Sequence, residues 1–582
     1  MQQDKSTKKT EQIGKSVSSE EQLSISITEV IKLFKLPTGK KDINYQKRSG
    51  VIVSTVLIVL LLLPFVGASN IASFFVKSLN KTRQGEKDVF YRFKNNPLVN
   101  WRNLLFLIAV RFNYLISQTD SGFEDATQKS KKIKAIIFDD SLMKKTGSSI
   151  EGVGYVHNHG NDIHVLGFKI LVCGFWDGSS FIPVDFSIHR ENKSSRIENL
   201  QARLAKKTLK KKAILLDIKN IADKKKSISK EVRSLRKDLR QKETKTKMSK
   251  LEAKKITSLK LANRSLKKKR ELQIICADII GIENEIFELK SNFCGLKPEE
   301  YRKQFKKTRK RNSPGYKREK ERDTSKLDSS VKMLKRVVRK GFSPDYVLTD
   351  TWFFCKKMLE AVMESPAGIH LVSMARIGIA KYKDIKTGRF YTPKELIVKN
   401  ERKNAKYSRK YKAKYICLYA EYQGIKIKIF LIKFGKGRWR MLVTTDLKMS
   451  FTRIIEIYKI RWTIEVFFKE CKQHLLLGKS MSQDFDSQIA DATLSLIRYI
   501  MLSYYQRLHY GTTIGGMFSV LSQQASKENI LTGIRELLTE LFEIFAEING
   551  TDYFSAYEDL LRSEKAHPLL VKLGWETENL AA

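Results

Sequence analysis

The sequence predicts an α/β protein in which strands deliver acidic residues to one edge of a sheet and helices are inserted around it. Three observations carry that expectation. Two apolar runs stop at aspartates, "AIIFDD" (Ala135–Asp140) and "YVLTD" (Tyr346–Asp350). A block of buried strands, "HVLGFKILVCGFW" and "SFIPVDFSIHRE", is divided by Gly and Ser turns. Long Lys-dense stretches repeat apolar residues at helical spacing. Buried strands that end in carboxylates bring them to a sheet edge, where open α/β sheets take up ligands.

At 582 residues the chain is long enough for several domains. Its 110 Lys and Arg against 62 Asp and Glu give a formal charge of +48, which points to a polyanionic partner, nucleic acid ahead of anionic membrane. The six cysteines, Cys173, Cys276, Cys294, Cys355, Cys417 and Cys471, have no paired spacing. That argues against zinc ribbons and a disulfide framework and predicts free thiols in a reducing cytoplasm. The string "HNHG" (His157–Gly160) lacks the partner ligands of a histidine metal site. The apolar run Val51–Ser69 approaches the length of a membrane span, but Ser54, Thr55 and Pro64 interrupt it and a long basic tail precedes it. A buried helix is therefore expected there, ahead of a membrane helix or a signal peptide.

Along the chain, residues 1–48 read as a flexible basic arm. Residues 49–128 read as an N-terminal helical domain, either DNA-binding or structural. The first half of the core occupies 129–192. From 193 to 340 a basic helical insertion carries two seams, Ile218, Ile221, Ile228, Val232, Leu235 and Leu239, then Leu272, Ile275, Ile279, Ile282, Ile286 and Leu289. Two seams predict a helical hairpin, by default a solvated coiled coil, and DNA contact along it follows from charge alone. The core returns at 341–374 with Asp350; a β-strand insertion that turns at Gly424 and Gly435 fills 375–448; 449–582 is helical.

The stretch "IYKIRWTIEVFFKECK" (Ile457–Lys472) sets polar residues into a buried helix pattern. On one helix of about 100° per residue, Tyr458, Arg461, Glu465 and Lys472 share a narrow face, while Ile457, Ile460, Ile464 and Phe467 pack it down. A solvated face with ordinary salt bridges would look the same locally. Together with the two strand-end aspartates, however, Glu465 completes a set of three carboxylates from distant segments. Oxygen ligands of this kind favour Mg²⁺ or Mn²⁺, and two such ions support in-line phosphoryl transfer.

These residues carry a resemblance. Tyr458, Arg461, Glu465 and Lys472 match in full the spacing of the YREK signature of the insertion-sequence-four type of DDE transposase. "FDDS" and "LTDTWF" resemble that family's first and second aspartate motifs, and "DFSIHRE" and "RNSPGYKRE" its accompanying segments, from Lys131 to about Tyr505. The resemblance implies a ribonuclease-H-like catalytic core with a β insertion between the second aspartate and the glutamate. It implies that Asp140, Asp350 and Glu465 bind Mg²⁺ (or Mn²⁺), and that Tyr458, Arg461 and Lys472 grip DNA phosphates. Asp139 is the alternative to Asp140, which is placed first because an acid–acid–hydroxyl order fits the motif. Trp439, flanked by Arg438 and Arg440, resembles the insertion tryptophan that stacks on a flipped base when ends resolve through a DNA hairpin; packing of the insertion is the alternative.

The implied protein binds double-stranded DNA at the inverted repeats of its own element and at the target. It cuts and transfers strands, works as a homodimer in the DNA complex, and resides in a bacterial cytoplasm at the nucleoid with no membrane attachment. Three other readings stay open: a metal-dependent nuclease without strand transfer, a basic coiled-coil DNA-binding protein, and a membrane-anchored protein using Val51–Ser69.

Overall fold

The computed structural model describes residues 26–47, 49–77, 86–120, 132–158, 160–191, 194–241, 245–291, 295–366, 368–509, 512–552, 555, 559, 560 and 562–566. Most of the expected N-terminal arm lies outside these residues. Its described part includes the helix Ile27–Leu33, which Ser26 and Glu29 close with a capping box. The chain divides into two compact units: residues 1–152, 167–189 and 305–582 form one, and residues 153–166 and 190–304 the other.

The first unit is built on a mixed sheet. Its core strands are β1 (Ala135–Lys144), β3 (Ile163–Trp176, within this unit from Gly167), β4 (Phe181–His189), β5 (Tyr346–Thr349) and β6 (His370–Ala375); β2 (Gly154–Asn158) belongs to the second unit. β1 runs antiparallel to β3 and β3 antiparallel to β4, whereas β1–β5 and β5–β6 are parallel. The order β4–β3–β1–β5–β6 is that of a ribonuclease-H-like core. β1 reads as predicted up to Phe138 but does not end there. It continues through both aspartates to Lys144, because β3 pairs with it over the whole length. The acids therefore sit inside a strand whose preceding residues, Ala135 to Phe138, are fully buried.

The β insertion appears where the sequence puts it, among β7 (Tyr382–Asp384), β8 (Phe390–Tyr391), β9 (Lys406–Ser408), β10 (Ala413–Tyr422), β11 (Ile425–Phe434) and β12 (Arg440–Thr444). β12 pairs antiparallel with β6, so the insertion extends the core sheet. β10 and β11 form a two-residue hairpin in which Gln423 and Gly424 both take positive φ (51° and 88°), the geometry that matches strand twist.

The apolar run Val51–Ser69 forms the buried helix Val53–Leu62. Its last carbonyls, on Leu60 and Leu61, accept hydrogen bonds from the buried Arg498 guanidinium at 2.5 and 3.0 Å. A cation at a helix C-terminus satisfies carbonyls that have no intrahelical partner. Among the described residues no helix is long and apolar enough to cross a membrane.

Two buried ion clusters tie the flanking helices to the sheet. Asp185 on β4, fully buried, takes Arg102 at 2.9 Å and Arg336 at 2.7 Å, and Arg102 also binds Glu321 at 2.6 Å. That links the helices Trp101–Asp120, Pro314–Arg322 and Lys326–Arg339 to one strand. Elsewhere the buried Arg309 forks onto Glu151 through two 2.6 Å bonds and reaches Asp486 at 3.0 Å. Residues 305–340, read from sequence as part of the basic insertion, thus pack in the core unit.

The second unit contains two long antiparallel helices, Ser194–Gln241 and Lys245–Ser291. Leu200 packs with Ile282 and Ile286, and Ile214 with Ile275 and Ile279, with Ile218 of the first predicted seam against them, so residues of both predicted seams close the hairpin.

Candidate active site

Three segments remote in sequence converge at the centre of the first unit. β1 supplies Asp139 and Asp140, the residue after β5 supplies Asp350, and the helices Phe451–Ile460 and Thr463–Gln473 supply the rest. The single helix expected for the last group is two. Arg461 and Trp462 form a tight joint in which backbone N–H groups bond three residues back, Arg461 to Tyr458 and Trp462 to Lys459. Both residues stay in the right-handed helical region, so the axis is interrupted with little change of backbone type. Tyr458 lies before the joint, Arg461 on it, and Glu465 and Lys472 beyond it.

Successive side chains on a strand face opposite ways, so the two neighbouring aspartates have different partners. Asp139 meets Arg461, whose Nη1 donates to its Oδ2 at 3.1 Å. Asp140 meets Lys326, whose Nζ donates to its Oδ1 at 2.9 Å, with Lys169 at 3.9 Å. Asp350 accepts from the backbone N–H of Trp352 at 2.9 Å and of Phe353 at 3.4 Å. Glu465 is bound by the same guanidinium that holds Asp139. Lys472 donates to Ser141 Oγ at 2.7 Å. Four of the expected site residues, Asp350, Arg461, Glu465 and Lys472, are therefore gathered with β1. Tyr458 joins them through its ring, 5.7 Å from the Arg461 guanidinium carbon.

The electrostatics are those of crowded carboxylates. Burial, then repulsion from Asp350, pushes Asp139 up to about 7 despite the Arg461 charge. Asp350 is also raised, by burial first and by Asp140 in addition. Tyr458 is pushed up to about 12 by burial, and Lys472 is lowered by burial. Asp139 and Asp350 ionise only at a cost that the cations present do not offset.

That shortage of positive charge, with all-oxygen donors, fits a hard divalent cation. Both strand aspartates share this repulsion: Asp350 raises Asp139, and Asp140 raises Asp350. Glu465 is drawn aside by Arg461, and among the described residues no three His, Cys, Asp or Glu side chains are grouped closely enough to hold a metal ion. Trp439 sits in the connection just before β12, half-buried, with Lys433 Nζ 5.9 Å from its ring centroid. Nothing in the sequence singles out Lys326, Lys169 or Ser141 as partners. Lys326 opens a helix from a different segment, and a lysine in this chain has no contrast against its neighbours.

Residues 319–501 match the family described as the transposase DDE domain. No curated protein sequence matches the chain. Among solved structures, a cryo-EM piggyBac transposase synaptic complex with hairpin DNA aligns over 88% of this chain and 82% of that chain, at 9% identity and a TM-score of 0.37. The matched segment contains Asp350, Tyr458, Arg461, Glu465 and Lys472.

Proposed function

We propose that the protein is a transposase of the insertion-sequence-four, YREK-signature type, which binds the ends of its own element and cuts and rejoins DNA there. The observation that carries this reading is the convergence of Asp139, Asp350, Arg461, Glu465 and Lys472 from three segments, with Arg461 bridging two of the acids. In this reading Asp139, rather than Asp140, is the first metal ligand, because it shares Arg461 with Glu465, while Asp140 is held by Lys326 from another segment. Asp350 is the second ligand and Glu465 the third.

Mg²⁺ or Mn²⁺ bound to these acids would supply activation of the attacking oxygen and stabilisation of the leaving one. The chain's own residues do the rest. Asp350 is fixed by two backbone N–H donors, so its free oxygen is aimed by the turn after β5. Arg461 and Lys472 present cations on the same side as the acids, and a DNA phosphate competes with carboxylates for a guanidinium on equal chemical terms. Arg461 would then leave Glu465 and Asp139 as the phosphate arrives. Lys472, lowered by burial, gains from an added anion. Tyr458, raised to about 12, stays a neutral hydroxyl at working pH and can donate to a phosphate oxygen. Trp439 is assigned to stacking on a flipped base in a hairpin step, and the working species to a homodimer on two ends.

The test is incubation of the protein with labelled duplex carrying the element's terminal repeats and Mg²⁺ or Mn²⁺. Expected are nicked ends, then hairpins, then joined products, all lost in Asp350→Ala and Glu465→Ala while end binding persists. Cleavage by Asp350→Ala would overturn the metal assignment. Hydrolysed ends without joining would make the protein a nuclease.

A further inference from the structure

We infer that the distal shaft of the helical hairpin, from Lys206 to Arg270, is a nucleic-acid arm that lies along a duplex phosphate backbone without reading bases. The shaft holds 26 Lys and Arg against 6 Asp and Glu, a net +20 of the chain's +48. The base of the second helix is the reverse: residues 271–291 hold five acids and one lysine. Solvated coiled coils intersperse both signs along e and g positions, which stabilises the pair of helices. Here the signs are segregated along the axis, and a rod of one sign repels itself.

The few acids in reach are turned inward to hold the hairpin together. Lys210–Glu271 and Lys268–Asp217, both 3.1 Å, with Lys207–Asp278 and Lys254–Glu231, cross between the two helices in one continuous register. Two of the shaft's six acids, Asp217 and Glu231, are thereby committed to the hairpin itself. Lys224, Lys225, Lys226, Lys267 and Lys269, outside these pairs, are exposed.

Shape selects the partner. An anionic membrane takes a helix that is basic on one side and apolar on the other. The triplets Lys224–Lys226 and Lys267–Lys269 each sweep about 200° of arc, so charge goes round the shaft. From Lys206 to Gln241 the first helix is about 54 Å long at 1.5 Å per residue. Duplex DNA carries a charge every ~1.7 Å of axis, so that length faces about 16 base pairs.

The test uses the full chain and a variant with Lys224, Lys225, Lys226, Lys267 and Lys269 all changed to Gln, none of them in the cross-helix pairs. A control variant changes Lys335, Lys356, Lys381, Lys386 and Lys394 to Gln, five exposed lysines outside the hairpin. Binding to a 30-base-pair duplex of arbitrary sequence is followed by anisotropy between 50 and 300 mM KCl. EDTA is present, so neither metal nor cleavage enters, and the result stands or falls apart from the transposase reading. Expected for the shaft variant, with helix content unchanged by circular dichroism, is at least tenfold weaker binding at 100 mM KCl. Its salt slope should be shallower by about 0.9 for each phosphate that the missing lysines no longer neutralise. Equal weakening in the control, or an unchanged slope in the shaft variant, would overturn the arm. So would a shaft variant that keeps duplex binding but no longer binds phosphatidylserine vesicles.

Discussion

Asp139→Asn should stabilise the metal-free protein at pH 8 while abolishing metal-dependent cleavage. The Asp139 carboxyl is raised from an ordinary 3.8 to about 7, chiefly by burial and by Asp350. A folded state that binds the proton more tightly than the unfolded chain loses stability as pH rises between those two values. Below about pH 4 the side chain costs nothing; above about pH 7 the full penalty applies. Roughly three pKa units correspond to a ceiling of about 4 kcal/mol. Asn carries no charge to bury and can still accept the Asp140 N–H that reaches Asp139 Oδ1 at 2.8 Å. It does deprive Arg461 of one carboxylate, so a gain of about half the ceiling is expected.

The assay is urea unfolding in EDTA at pH 5 and pH 8. The variant's advantage should be smaller at pH 5 and largest at pH 8, and Mg²⁺ should raise the melting temperature of the wild type but not of the variant. Asp140→Asn should behave oppositely, losing stability at pH 8 because the Lys326 ammonium, 2.9 Å away, keeps an acceptor but loses its counter-charge. An Asp139→Asn protein less stable than wild type at pH 8, or an advantage that does not grow with pH, would refute the account of the site.

Arg461→Ala should bind Mn²⁺ more tightly in the absence of DNA, by titration calorimetry, and cut poorly, since the cation bridging Asp139 and Glu465 is gone; unchanged affinity would show that Arg461 does not compete for the acids. Trp439→Ala should nick ends at the normal rate yet accumulate fewer hairpins on denaturing gels, base stacking being worth roughly 1–3 kcal/mol per base. Normal hairpin yield, or an unfolded protein, would make Trp439 a packing residue. Arg309→Met should cost about 3–5 kcal/mol in denaturant unfolding, because it removes the cation that forks onto Glu151 in a buried cluster and leaves Asp486 with Lys307 alone.

Much of the architecture is legible in the sequence because it rests on local signals. Alternating apolar strands, the turn at Gly424, the two helical seams and the buried apolar run each carry their pattern within a short window. The end of the long core strand is not legible, because acids are poor strand formers on their own. Only the cross-strand partner β3, a separate segment, keeps Asp139 and Asp140 in the sheet. The boundary of the basic insertion falls elsewhere than composition suggests for a related reason. Residues 305–340 are Lys- and Arg-rich like the hairpin, but Lys307, Arg309 and Arg336 are held by acids from distant segments that composition does not reveal.

The proposed preference for Asp139 over Asp140 turns on parity, which a motif does not encode. A motif comparison weighs which residue types are adjacent, whereas a strand asks which of two neighbours faces the helix that crosses it. The helical joint at Arg461 and Trp462 adds to the same difficulty, since a tight turn of three residues changes the arc per residue from about 100° to about 120°. Tyr458 and Glu465 therefore cannot be placed on one face by counting along an ideal helix. What the spacing does preserve is Arg461 on the joint itself, one turn from Glu465 and within 3.1 Å of Asp139. On the proposed function, a phosphate that draws this side chain away leaves the strand acid and the helix acid without their shared cation, so metal and DNA would both act through Arg461.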